Sequence, residues 1–164
     1  MDFSKLSRSD AVGVAGGLLL ILALLFLPWY HLGATDQRTV ADGSGFICGD
    51  GNFDCTGFGT FPILRWLLIA AGLAPLILCW IVVRGHKLSW PPGELTMVVG
   101  FTAFMLILYN GIIDKPGAEL AEIDISMGIG YWVALFASVV IASAGIARVT
   151  QAQKGNLRKT PGTV

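Results

Sequence analysis

Residues 18–27 read Leu18-Leu19-Leu20-Ile21-Leu22-Ala23-Leu24-Leu25-Phe26-Leu27, an unbroken apolar run with no polar position on any face. A strand of a membrane β-barrel alternates in polarity along about ten residues, and this run does not. Followed outward, the run stays uncharged from Ala11 to Thr35, between Asp10 and Asp36. Three further windows have the same character: Trp66 to Val83, Leu95 to Ile113 and Ile125 to Ala147. Their lengths are 25, 18, 19 and 23 residues in chain order. At 1.5 Å per residue, about 20 helical residues cross a hydrocarbon layer of roughly 30 Å. In lipid each N–H and C=O needs a partner within the chain, and a helix supplies one inside a single segment.

Composition agrees. Hydrophobic residues make up 54% of the 164 and charged residues 13%, against about 25% charged in a soluble domain. Mean hydropathy is +0.70. Four such windows leave too little polar sequence to cover them in water. The expected fold class is therefore all-α, a four-transmembrane-helix bundle. The expected spans are 11–33, 62–83, 94–113 and 127–147, within a single domain over residues 1–148. Residues 149–164 are polar and expected to form a disordered tail.

Lys and Arg set the expected orientation. Lys5, Arg8, Arg84, Lys87, Arg148, Lys154, Arg158 and Lys159 fall on one side, and Arg38, Arg65 and Lys115 on the other. The majority side carries both termini and is expected to be cytoplasmic. The first window is too long for the apolar part of a cleaved leader and is read as a retained span.

Helices in lipid associate where small residues let backbones approach. Gly130, Ala134, Ser138 and Ala142 recur at four-residue intervals in the fourth span. Gly13 and Gly17 offer a pair in the first, and Ala70 and Ala74 in the second. These are the expected helix-packing seams. Pro75 is expected to kink the second span. Trp29, Tyr30, Trp66, Tyr131 and Trp132 at one boundary, with Trp80 and Trp90 at the other, read as interfacial aromatic belts. Asn110 is expected to bond a neighbouring helix.

The first outer loop holds Cys48 and Cys55. On an oxidising side of the membrane they are expected to form a disulfide closing a short loop, and Cys79 a packing residue. Asp50, Asn52 and Asp54 have the spacing with which a calcium loop begins, but Cys55 and Phe61 stand where that loop needs Gly and Glu. A Gly-rich turn is the simpler reading, and no metal or other cofactor is expected. His31 and His86 belong to opposite sides. No charge lies in the middle of a window, which argues against a proton-coupled transporter or a pump. No catalytic motif is present, and no enzyme activity is expected. Net charge is zero, so nothing favours nucleic acid as a partner.

The stretches Thr60–Trp66, Leu88–Glu94, Leu108–Gly111 and Gly130–Leu135 together resemble uncharacterised four-helix integral membrane proteins of actinobacterial type. The resemblance implies a bacterial plasma membrane and carries no known activity. In topology the chain is also similar to claudin-type tetraspans, which have a cysteine pair in the first outer loop, although no Gly-Leu-Trp precedes Cys48. The expected role is that of a multi-pass accessory or interaction protein. Its partners would be the lipid bilayer and another membrane protein or a second copy. The alternatives are an oligomeric channel or transport component sealed along the fourth span, and a membrane thiol-redox enzyme.

Overall fold

The computed structural model describes residues 7–32, 54–85, 90–113 and 125–157. Four long helices carry the fold: α1 (Arg8–Phe26), α3 (Leu64–Val83), α4 (Pro92–Leu108) and α5 (Ile129–Leu157). α4 continues as a π-helical turn over Tyr109–Ile113. A four-residue helix, α2 (Gly57–Thr60), precedes α3. Three short strands, β1 (Pro28–Leu32), β2 (Asp54–Thr56) and β3 (Ile125–Met127), complete the described elements. Arg8–Phe26, Leu64–Val83, Pro92–Ile113 and Ile129–Lys154 have mean hydropathies of 2.1, 2.5, 1.9 and 2.0, long and apolar enough to cross a membrane.

The helix boundaries follow from local chemistry. Ser7 caps α1: its hydroxyl accepts from the Asp10 N–H, and the Asp10 carboxylate accepts from the Ser7 N–H at 3.0 Å. This reciprocal box satisfies donors that a helix start leaves open. α1 stops at Phe26, well short of residue 33, because Pro28 disfavours helical backbone at the residue before it. Leu27 accordingly takes φ −93° and ψ 141°. At the start of α4, Pro92 sits at the first helical position and Glu94 lies in the first turn, as helix starts prefer.

The fold is mostly helical, as expected, with four helices long and apolar enough to cross a membrane, and a three-stranded sheet that was not expected stands at one end of the bundle. Its order is β2-β1-β3, with both pairings antiparallel. Tyr30 of β1 is opposite Cys55 of β2 on one side and Met127 of β3 on the other. β1 follows α1 directly and β3 leads into α5, so the sheet ties the ends of these helices together. This is the sheet end of the bundle.

Along the bundle axis Leu20, Leu24, Leu68, Ile107, Ala137 and Ile141 are fully enclosed. α5 packs on α4 and α1, and α1 packs also on α3, while α3 and α4 share a thinner contact. Two crossings depend on glycine. A Cβ on Gly17 would run into the Gly72 carbonyl, and one on Gly100 into the Ala142 backbone. α5 runs on past Arg148 to Leu157, so the first part of the expected tail is helical.

Candidate functional site

The sheet end is built around Trp29. Its ring is buried between Phe61 and Tyr131, edge to face with both at centroid distances of 6.2 and 6.1 Å. Its indole N–H donates to the Ala23 carbonyl at 2.9 Å. That carbonyl belongs to the last turn of α1, where helical partners run out. Trp29 thus folds back to satisfy the helix it follows. Gly57, Gly128 and Gly130 let this ring and the β1 backbone come close.

Tyr30 lies beside it, edge to face with Phe61 at 6.1 Å. Its hydroxyl donates to the Asn110 carbonyl in the π-turn at 3.4 Å. Burial, and secondarily the neighbouring Tyr131, push the Tyr30 phenol above its ordinary range. Tyr131 packs its ring against Gly111. Trp29, Tyr30 and Tyr131 are each 1% exposed. The belt reading is corrected for these three: they form a core beneath the sheet. Trp66, Trp80, Trp90 and Trp132 are exposed. Asn110 also departs from expectation, since its amide donates to Leu106 of its own helix at 2.9 Å.

The opposite end holds a charge pair between a buried Asp10 and a half-buried Arg148. Asp10 of α1 accepts from the guanidinium of Arg148 of α5. Its second oxygen is taken by the Ser7 N–H and hydroxyl at 3.0 and 3.1 Å. Ser9 and Thr96 are buried nearby, and Thr96 donates to the Pro92 carbonyl at 2.9 Å. The hollow between Asp10, Pro75, Cys79, Thr96 and Arg148 has a volume of only about 10 Å³. Every oxygen of the carboxylate is engaged, so the pair clamps α1 to α5 and offers no free base. From sequence both residues read as window edges. The available signal was an acid and a base at the same boundary of the first and last spans.

The expected seam residues are placed as follows. Gly13 is buried where Ala144, Pro75 and Thr96 converge, and Gly17 crosses Gly72. Gly130 lies under Pro28 and Trp29, and Ala134 and Ser138 are fully enclosed. Ala142 is half-buried against Gly100 of α4. Ala70 is exposed and Ala74 half-buried, so Leu68, Gly72 and Pro75 form the buried face of α3 instead. The small positions of α4, Gly93, Thr96, Gly100 and Ala103, recur every three or four residues on its buried face and complete the α4–α5 seam.

Of the expected disulfide, Cys55 is buried in β2, and Cys48 lies outside the described residues. Asp50 and Asn52 lie outside them too, while Asp54 contributes its backbone to β2. Among the described residues Cys79 is a free cysteine.

The lateral surface is uneven. In α1 and α5, 44% of the apolar span is buried inside the protein, against 22% in α3 and 28% in α4. A groove of about 250 Å³ opens between α3 and α4, lined by Ala70, Ala71, Val98 and Thr102 among others. A larger one of about 590 Å³ runs along α4 past Phe101, Met105, Tyr109 and Ile112. Both are almost wholly apolar and suit hydrocarbon or another helix. No protein-family model, no curated protein and no solved structure matches this chain.

Proposed function

We propose that this chain is a four-span protein of a cell membrane, with both termini cytoplasmic, that works by holding another membrane protein against its α3–α4 flank. The observation that carries this reading is the uneven burial of the spans. α1 and α5 are packed on several sides, while α3 and α4 leave two adjoining apolar grooves open. Without water to drive association, helices in lipid join through close van der Waals packing. A concave flank edged by Ala70, Ala71 and Thr102 provides the room for that. Closure of the sheet-end loop by Cys48 and Cys55 belongs to the same proposal, supported by the burial of Cys55 in β2. So does the bacterial plasma membrane implied by the resemblance.

The channel alternative needed Ala134 and Ser138 as a seam between protomers. Both are fully enclosed within one protomer, so such an assembly would have to use another face. No observation favours the thiol-redox alternative.

Photo-crosslinking in native membranes tests the reading. A photoreactive residue at Val98, exposed on the flank, is expected to give a discrete protein adduct; one at Phe136, exposed on α5, is not. Thr102→Trp, which fills the groove, is expected to reduce the adduct at least tenfold. Lipid adducts alone from both positions would refute it.

A further inference from the structure

α3 carries an arginine at each end, and the helix treats them oppositely. Arg84 is the C-terminal cap, where the carbonyl end of a helix favours a cation. Its guanidinium lies over Trp80 at 4.7 Å and is exposed. Arg65 lies in the first turn of α3, where the helix dipole already places partial positive charge, while its own N–H and that of Trp66 donate to the Phe61 and Ile63 carbonyls. No acid lies in that turn, and the capping position, Ile63, supplies no side-chain hydrogen bond. A permanent cation and the positive end of a helix therefore stand together.

Among the described residues, the surroundings hold the Arg65 guanidinium in place without a carboxylate to neutralise it. It lies over the Phe58 ring at 4.8 Å and the Trp66 ring at 5.6 Å. These rings are themselves edge to face at 6.0 Å. Nη1 donates to the Phe58 carbonyl at 3.4 Å, and Nε is enclosed without an acceptor. Among the described residues no carboxylate pairs with Arg65. One Nη1 hydrogen and both on Nη2 remain. A planar guanidinium held against two rings keeps three Nη hydrogens, and one from each nitrogen can serve two oxygens of one phosphate.

The position selects the ligand. Ile63 and Trp66 are 76% and 60% exposed beside Arg65, an apolar surface at the very start of the span. Arginines flanking a span reach the interfacial layer, where phospholipid phosphates lie.

We propose that Arg65, with Phe58 and Trp66, binds the phosphodiester of a phospholipid in the leaflet at the sheet end. This rests on the membrane reading above and adds a defined lipid to it. The site anchors the start of α3, the least buried of the four spans, through a lipid headgroup.

Native mass spectrometry of the detergent-extracted full chain tests it. Phosphatidylglycerol is expected to be retained about tenfold better than a diacylglycerol of the same chains, which lacks the phosphate. Arg65→Gln should remove that preference, Arg65→Lys should keep part of it, and Arg84→Gln should leave it unchanged. Equal retention of the two lipids by the wild-type protein would overturn the proposal, whether or not Arg65→Gln folds. Inorganic phosphate retained as well as phosphatidylglycerol would assign the site to a free anion and overturn the lipid assignment. A chain that needs no detergent would defeat the membrane reading itself; a chain extracted from membranes but blind to the phosphate would defeat this site alone.

Discussion

Trp29→Ala is expected to lower stability by about 3–5 kcal/mol, the usual cost of truncating a large buried aromatic. In detergent this corresponds to a fall in midpoint of roughly 6–20 °C for a chain of this size. Three losses combine. The Ala23 carbonyl loses its indole donor, Phe61 and Tyr131 lose the ring between them, and β1 loses the side chain that seats it on the bundle. Trp132→Ala is the control, since its ring is 59% exposed although it touches Tyr131. It is expected to shift the midpoint by only a small fraction of that. Equal shifts for the two variants would return Trp29 to the membrane boundary and remove the core beneath the sheet.

Asp10→Ala is expected to cost about 3 kcal/mol, because removing one partner of a buried pair strands the other charge. The figure sits at the low end of that range because the Arg148 side chain keeps 20% exposure. The same substitution breaks the capping box of α1, so part of the loss is local. Arg148→Met alone should be comparably damaging, since it strands the carboxylate at 6% exposure. The double variant Asp10→Leu with Arg148→Met should recover most of the loss, because an apolar pair of similar volume carries no desolvation cost. Additive losses in a thermal unfolding series would show that the two residues act separately.

Much of this architecture was legible in the sequence because lipid imposes a simple rule. Charge is excluded from long segments, and Leu18–Leu27 obeys that rule without exception. The sheet was not legible. Its strands have five, three and three residues, too few for alternation to show. Ser126 and His31, which meet across it, are 95 positions apart. Pro28 held the decisive local signal, since it ends α1 and opens β1 on a residue whose missing N–H a strand tolerates at its first position. Trp29 and Tyr30 read as boundary aromatics because they follow the apolar run, and only the return of β2 and β3 around them makes them core.

The polar end was hidden for a related reason. Asp10 and Arg148 delimit the first and last windows, and a residue at the edge of a window reads as solvated. Their pairing requires α1 and α5 to be neighbours, which spacing along the chain does not state. The seams were half legible. Gly17 crosses Gly72 as a small residue should, yet Ala70 faces outward, because the spacing of small residues does not show which face of α3 meets α1.

Membrane fractionation is the most direct measurement of the central claim. After lysis and an alkaline carbonate wash, the full chain should remain in the membrane pellet and leave it only with detergent. Recovery of folded protein in the carbonate supernatant would contradict the account, because helices as exposed as α3 and α4 have no other solvent that suits them.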